Sequence, residues 1–179
     1  MAAAHRNVLD EPPGPACRLR RRPGANRATC IRGGFFVTSL TIVRIIEAPP
    51  PAVFAAFVEP DKIALWWGPD DGPVTYAEVD ARPGGRFHVR FRMLDGSEHG
   101  CFGDFEVFEP PHRLAMSWSW EGEDSPPSRV QATFEPVGAG YTELTFVHAL
   151  LRDDATRDSH ERGWNGALDK LQHKARALS

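Results

Sequence analysis

The chain has 179 residues, of which 41% are hydrophobic and 25% are charged, and its net charge is −3. These values are typical of a single globular domain. Residues 1–37 carry a net charge of +5, so that the remainder carries −8. An acidic domain argues against nucleic-acid binding, which needs clustered Lys and Arg. No apolar run approaches the roughly 20 residues that a membrane-spanning helix requires.

The first 37 residues are rich in Arg, Ala, Pro and Gly and show no sustained periodicity. We expect a disordered basic extension, or upstream sequence included by a misplaced start, before a domain of residues 38–179. The arginines at 20–22 are not followed by the apolar core of an export signal, and Pro and acidic residues disfavour a transit peptide. Cys17, Cys30 and Cys101 are odd in number and lack metal-ligand spacing, which indicates a reducing, cytoplasmic protein.

The predicted domain opens with a strand and two short helices. Residues 38–47 are dense in β-branched residues and predict a strand. The prolines at 49–51 end this strand because proline cannot donate to the hydrogen-bond ladder of a sheet. Residues 52–57 predict a short helix entered through proline, and residues 61–66 predict a further turn or two.

Six more strands follow, each with alternating apolar residues. In residues 86–93, Phe87, Val89 and Phe91 share one face and His88 and Arg90 the other. Asp95-Gly96 is a strong signal for a hairpin turn. The strands are predicted at residues 74–80, 86–93, 97–108, 114–120, 130–134 and 142–148. Successive antiparallel strands with one apolar face predict a curved meander.

A long helix is predicted at residues 157–178. Trp164, Leu168, Leu171, Ala175 and Leu178 recur at three- and four-residue steps and form one apolar stripe. The element order therefore predicts an α+β helix-grip fold. In this fold a curved antiparallel sheet of about seven strands wraps around the long C-terminal helix, and two short helices follow the first strand. A cavity commonly remains between such a sheet and its helix.

Several motifs resemble one protein family. They are Ala48-Pro49 with Val53-Phe54, Trp66-Trp67-Gly68-Pro69, the run 80–85 with Phe87, the run 103–114 with Pro110-Pro111-His112-Arg113-Leu114, Thr142-Glu143-Leu144-Thr145, and the run 160–171. Together they are similar to the activator-of-heat-shock-protein-90-ATPase homologue family of the START-like (SRPBCC) superfamily, over about residues 40–178. The resemblance implies an apolar pocket but no single reaction. The superfamily includes lipid and hormone binders, aromatase/cyclase-type domains and modules that act on a chaperone.

The candidate ligand-binding residues are the aromatic residues on the inward faces, the adjacent indoles of the Trp-Trp motif and one helical leucine. They are Trp66, Trp67, Phe87, Phe91, Trp118, Trp120, Phe134, Phe146, Trp164 and Leu168. All ten could equally serve as core. Two adjacent indoles cannot share one helical face, so one could line a pocket mouth while the other packs inward, and a plug that closes the end of the grip is favoured.

Candidate catalytic residues are His148 and His160, which could approach each other and form a general-base pair with Glu161 or Asp104. A histidine satisfied by a backbone group is the favoured alternative. His88, His99 and His112 are expected on outward faces, in turns or near prolines. No histidine spacing fits a metal site, and no glycine pattern fits a phosphate loop, so we expect no cofactor.

We therefore expect a protein that binds a small hydrophobic molecule, such as a lipid, an aromatic compound or a polyketide, because the lining offers few polar groups for catalysis. One alternative is an enzyme of cyclase, aromatase or hydrolase type that uses a pocket histidine. The other is a protein-interaction module, such as a chaperone cofactor. A homodimer formed through an exposed sheet edge is plausible.

Overall fold

The computed structural model describes residues 29–31 and 35–178. The helices are α1 Pro50–Val58, α2 Pro60–Ile63 and α3 Asp154–His173, and a 3-10 turn covers Ala175–Ala177. The strands are β1 Thr29–Ile31, β2 Phe35–Ile46, β3 Val74–Val79, β4 Arg86–Arg92, β5 Glu98–Glu109, β6 Arg113–Trp120, β7 Ser128–Pro136 and β8 Thr142–Leu151. No helix within these described ranges combines the length and apolar character needed to cross a membrane.

The strands form one antiparallel sheet in the order β1-β2-β8-β7-β6-β5-β4-β3. Strands β3 to β8 are each paired with the next strand along the chain, which confirms the predicted meander. Strand β2 extends this meander at its β8 side by pairing with β8, and Ile42 lies opposite Phe146. The fold is the predicted helix grip, in which this sheet curves around α3.

Sheet structure begins earlier than residue 38 in the described part of the chain. Strand β2 starts at Phe35, and the three residues of β1 pair with its first residues, with Thr29 opposite Val37. The rest of the expected extension, residues 1–28 and 32–34, lies outside the described residues. The proposed boundary between extension and domain therefore stays a prediction.

The two short helices close one end of the sheet. Phe54 and Phe57 of α1 both pack edge-on against Phe134 of β7. After α2, the Trp66 indole N–H donates to the Ala56 carbonyl at 2.9 Å, and the ring is 1% exposed. Trp66 is therefore packed inward as a plug at this end of the sheet.

Helix α3 begins three residues earlier than predicted because Asp153 caps it. The Asp153 carboxylate accepts from the Thr156 backbone N–H at 2.7 Å, which satisfies one of the free donors of the first turn. The regular helix ends at His173, and the 3-10 turn carries the chain to Leu178. The predicted stripe is entirely buried; its members are Trp164, Leu168, Leu171, Ala175 and Leu178.

The turn after α2 holds one face of α3. Lys170 donates through its ammonium group to the Trp67 and Asp70 carbonyls. Gly166 lies so close to this turn that a Cβ atom there would be 2.1 Å from the Pro69 carbonyl oxygen. At Gly163, one turn earlier, the nearest such atom is the Pro69 Cβ at 4.0 Å. The helix and turn are therefore in backbone contact at Gly166 and diverge toward Gly163.

We predict opposite effects for alanine at these two glycines. Gly163→Ala should raise the free energy of unfolding by about 1 kcal/mol, because alanine favours the helix and meets no neighbour. Gly166→Ala should lower it by about 1–3 kcal/mol, because overpacking against backbone outweighs the same gain in propensity. Urea unfolding of the two variants beside the wild type measures both effects, and equal shifts for the two variants would contradict the close approach.

Candidate functional site

A cavity of about 880 Å³ lies between the sheet and the N-terminal half of α3. Its walls come from the turn after α2, from β4 to β6, and from residues 152–167. The interior is aromatic, with Trp67, Phe91, Trp118, Trp120 and Trp164 all lining it. Charged side chains line the cavity near the surface; they are Glu98, Glu121, Glu123, Arg152, Asp153 and Arg162. The site is thus apolar inside and charged at its mouth.

The indoles stand in two roughly perpendicular orientations. Trp67 stacks on Trp118, with ring centroids 5.7 Å apart and an interplanar angle of 22°. Trp164 meets Trp67 at 80°, and Trp120 meets Trp118 at 87°. Edge-to-face and stacked pairs of this kind are favourable beyond the area they bury. The cavity is therefore walled by a preformed aromatic cluster.

A chain of hydrogen bonds fixes Trp164 from behind. Its indole N–H donates to His148 Nδ1 at 3.0 Å. An indole can only donate, so His148 Nδ1 carries no proton and the neutral ring carries its proton on Nε2. That Nε2–H donates to Ser128 Oγ at 2.8 Å, and the Ser128 hydroxyl donates to the Trp118 carbonyl at 3.2 Å. Every polar atom of the His148 ring is thus engaged.

A second tryptophan–histidine pair orients Trp120. Its indole N–H donates to His160 Nε2 at 3.1 Å, and His160 Nδ1 donates to the Thr156 carbonyl at 2.8 Å. Because the carbonyl can only accept, the proton of His160 lies on Nδ1. The two imidazoles lie edge to face, with centroids 4.7 Å apart. Their predicted proximity is therefore correct, but both lone pairs are occupied by tryptophan donors.

No hydrogen bond of the candidate general-base pair with a carboxylate is formed among the described residues. Asp104 lies on the outward face of β5 and accepts from Arg86 at 3.2 Å. The side-chain hydrogen bonds of His148 and His160 described here go to tryptophan, serine and backbone groups. A general base needs a free lone pair beside its substrate. These histidines instead position the indoles, in line with the alternative reading of satisfied histidines.

From the sequence, His99 was expected on an outward face, in a turn or near a proline. Its ring is exposed, but it lies at the mouth of the cavity. In the register of β4 with β5, His99 lies directly opposite the inward-facing Phe91. Its ring stacks on Phe91 at 5.6 Å and 27° and lines the cavity near the surface. A bulge between Phe105 and Val107 shifts the alternation along β5, so both parities of this strand contain aromatic residues.

Five of the ten candidate ligand-binding residues do not line this cavity. Trp66 is the plug described above. Phe134 packs among the aromatic rings of α1. Phe146 of β8 packs against Trp164, with ring centroids 4.4 Å apart. Phe87 contacts Trp67 and Phe105, and Leu168 is a fully buried residue of α3 itself. All five are buried core residues, because here the helices fill the concave face.

Several lining residues were missed by the sequence analysis. Pro69 and Met93 border the aromatic cluster, and Gly163 leaves space on α3. At the mouth, Arg90 holds Glu121 through bonds of 2.9–3.1 Å, and this guanidinium lowers the pKa of the Glu121 carboxyl. Glu121 lies over Gly100, where a Cβ atom would be 2.1 Å from its carboxylate. An isolated glycine inside a strand was the available signal for this close approach.

The titratable groups of the core suit neither metal binding nor thiol chemistry. Burial raises the pKa of the Cys101 thiol far above its ordinary value, so it is uncharged and a poor nucleophile. Within residues 29–31 and 35–178, no cluster of three or more His, Cys, Asp or Glu is placed to hold a metal ion. The side chains of Cys17 and Cys30 lie outside the described residues.

The model of one protein family matches most of this domain. The family is described as "Activator of Hsp90 ATPase homolog 1-like protein", and the match spans residues 47–175. The chain belongs to this family. The predicted membership is thereby confirmed, and with it the START-like helix-grip fold.

Several solved structures have the same fold. The AHSA1 protein from Silicibacter pomeroyi is 26% identical, with a TM-score of 0.70 over 79% of this chain and 99% of its own. CalU16 from Micromonospora echinospora is 28% identical, with a TM-score of 0.61 over 84% and 83% of the two chains. The AHSA1-like protein from Aeromonas hydrophila is 28% identical, with a TM-score of 0.62 over 78% and 96%. A comparison with curated proteins gives no match.

The buried His148 of this AHSA1-like chain predicts a pH dependence of stability. Burial lowers the pKa of His148 well below its ordinary value of 6.5, and the neighbouring imidazole of His160 lowers it further. Below about pH 6.5 the unfolded chain therefore binds a proton here that the folded chain does not. Stability should fall with falling pH by up to about 1.4 kcal/mol per unit from this residue alone.

The variant His148→Gln should remove this contribution. Urea unfolding at pH 7.5, 6.5 and 5.5 gives the slope of the free energy of unfolding against pH. We expect this slope to be smaller for the variant, by the equivalent of up to one bound proton. The control is His112→Gln, because His112 is an exposed turn residue remote from the cavity. A variant at position 148 as pH-dependent as the wild type would show that His148 titrates normally.

Proposed function

We propose that this protein binds a small, flat hydrophobic molecule in the cavity between the sheet and α3. The observation that carries the proposal is the aromatic interior, to which four of the five tryptophans contribute. A volume of about 880 Å³ lies within the range of small-molecule pockets, roughly 300–1,000 Å³. Family membership supports ligand binding by this fold at the coarse level, and the identity of the ligand is our inference from the lining.

The hydrogen bonds behind the indoles favour an apolar ligand. The N–H groups of Trp164 and Trp120 are both used by histidines. These two rings therefore offer the cavity mainly carbon surface, which gains from excluding water and from stacking on a planar ligand. A hydroxylated ligand would place its polar end at the charged mouth. A carbonyl-bearing ligand could also accept from the buried Trp118 N–H, which has no partner among the described residues.

Binding is favoured over catalysis by His148 or His160. An enzyme using either residue as a base would first have to break a tryptophan–histidine bond. The chaperone-cofactor alternative comes from the description of the family rather than from a feature of this site. We retain it, together with a cytoplasmic location and a homodimer, as predictions from the sequence.

Native mass spectrometry of the purified protein, followed by denaturing extraction, tests the proposal directly. We expect a retained aromatic or other apolar compound of a mass that fits the cavity. The same spectrum reports the oligomeric state. A protein that is empty and also fails to bind any added aromatic probe would overturn the proposal and favour the protein-interaction alternative.

Indole N–H signals in a 15N-correlated NMR spectrum give a site-specific prediction. On titration with 2-methoxynaphthalene, the signals of Trp67, Trp118, Trp120 and Trp164 should shift. The signal of Trp66 should stay in place, because its N–H is bonded to Ala56 and its ring does not line the cavity. Equal shifts of all five signals, or of none, would contradict binding at this site.

Filling the cavity should weaken this binding. Gly163→Phe places a ring in the open space beside Pro69, and we expect the dissociation constant of 2-methoxynaphthalene to rise at least about tenfold. Gly163→Ala is the matched control, because it makes the same backbone change with little added volume. A Phe variant that binds as tightly as the Ala variant would place the ligand elsewhere.

A further inference from the structure

His99 is the one cavity-lining histidine whose ring keeps a nitrogen without a hydrogen-bond partner among the described residues. The other, His160, has both ring nitrogens engaged. His99 forms a single side-chain hydrogen bond, between Nε2 and Ser97 Oγ at 3.2 Å. The free nitrogen, Nδ1, belongs to a ring that stacks on Phe91 at the mouth of the aromatic cavity.

The protonation of this ring follows from its neighbours. The Ser97 hydroxyl donates to the Asp95 carboxylate at 2.6 Å, and the Ser97 backbone N–H donates to the same oxygen at 2.8 Å. These bonds lower the pKa of Asp95, so the carboxylate is ionised and can only accept. The Ser97 oxygen is thus left to accept from His99, and Nε2 must carry the proton. In the neutral ring, Nδ1 is then an acceptor with a free lone pair.

The hydrogen-bonding chain from Asp95 through Ser97 to His99 restrains the imidazole. On the opposite side, its stacking on Phe91 aligns it with the aromatic wall, and Trp120 lies 6.1 Å away between ring centroids. A ligand lying against Trp120 and Phe91 would therefore have its edge beside His99. An acceptor at this place selects a ligand that carries an O–H donor at that edge.

We propose that His99 Nδ1 recognises the hydroxyl group of a hydroxylated aromatic ligand whose ring packs on the tryptophan cluster. This inference rests on the proposed function and names the ligand class for the same cavity. A purely apolar pocket prefers the less polar of two compounds of similar shape. His99 is exposed in the free protein, so a ligand that covers Nδ1 must replace the water available to it. A compound that can donate does so, whereas one that cannot donate leaves the covered acceptor unpaired and binds less tightly.

Two probes separate these expectations. 2-Naphthol can donate a hydrogen bond, whereas 2-methoxynaphthalene has the same ring and oxygen but cannot. For the wild type we expect 2-naphthol to bind about three- to tenfold more tightly, the range of one net hydrogen bond. The dissociation constants are measured by titration of the indole N–H signals. For each variant we compare the ratio of the two constants, because a substitution that weakens both probes equally leaves this ratio unchanged.

The variant His99→Phe keeps an aromatic ring against Phe91 and removes the acceptor. Its ratio should reverse in favour of the methyl ether, whereas the control His112→Phe, in an exposed turn, should keep the wild-type ratio. A direct signature is the imidazole Nδ1 resonance of His99, which should move on addition of 2-naphthol and stay in place with the ether.

The outcomes distinguish this inference from the proposed function. A wild type that prefers the ether, or a naphthol preference that persists in His99→Phe, would overturn the role of His99 and leave hydrophobic binding intact. If neither probe shifts the cavity indoles, the proposed function fails for aromatic ligands and the inference fails with it.

Discussion

The structure depends on one geometric constraint, which is that a single helix must fill the concave side of a curved sheet. The C-terminal half of α3 does so, since Leu168 and Leu171 are fully buried. The N-terminal half reaches the sheet through His160 but leaves a cavity beside it, where the helix presents the small residues Ser159 and Gly163. Protein interiors are otherwise close-packed, with few voids larger than a water molecule. Small residues on one half of a helix thus determine where the cavity lies.

The second determinant is how the aromatic wall satisfies its own polar atoms. A buried donor without a partner costs free energy, so the indole N–H groups need acceptors. The neutral forms of His148 and His160 supply them for Trp164 and Trp120. Each histidine uses its other nitrogen to donate, His148 to Ser128 Oγ and His160 to the Thr156 carbonyl. The same bonds that stabilise the wall remove both histidines from acid–base chemistry. One donor of the wall stays unpaired, because the buried Trp118 indole N–H has no hydrogen-bond partner among the described residues.

Period-two alternation and the helical stripe were sufficient to predict the element order, the inward faces and the buried stripe of α3. They were not sufficient to predict which inward residues a ligand could touch. Parity assigns a face, but the position along a strand decides whether α1, α3 or open space lies above it. Phe134 and Phe91 are both on the inward face, but Phe134 packs against Phe54 of α1 whereas Phe91 lines the cavity. The position of His99 at the cavity was not predicted because the bulge in β5 makes the alternation of that strand ambiguous.

Family membership defines the scaffold, whereas the ligand is decided by the few residues at the open end of the grip. Those residues come from separate segments, and their selectivity follows from a gradient of polarity. In the proposed function, Trp118 and Trp164 deep in the cavity discriminate among ligands by shape and apolar area. At the mouth, ion pairs such as that of Arg90 with Glu121 are already paired, so they add little for a ligand. At the same mouth, His99 Nδ1 is the acceptor through which, in our proposal, one hydrogen bond changes the preference among ligands of equal shape.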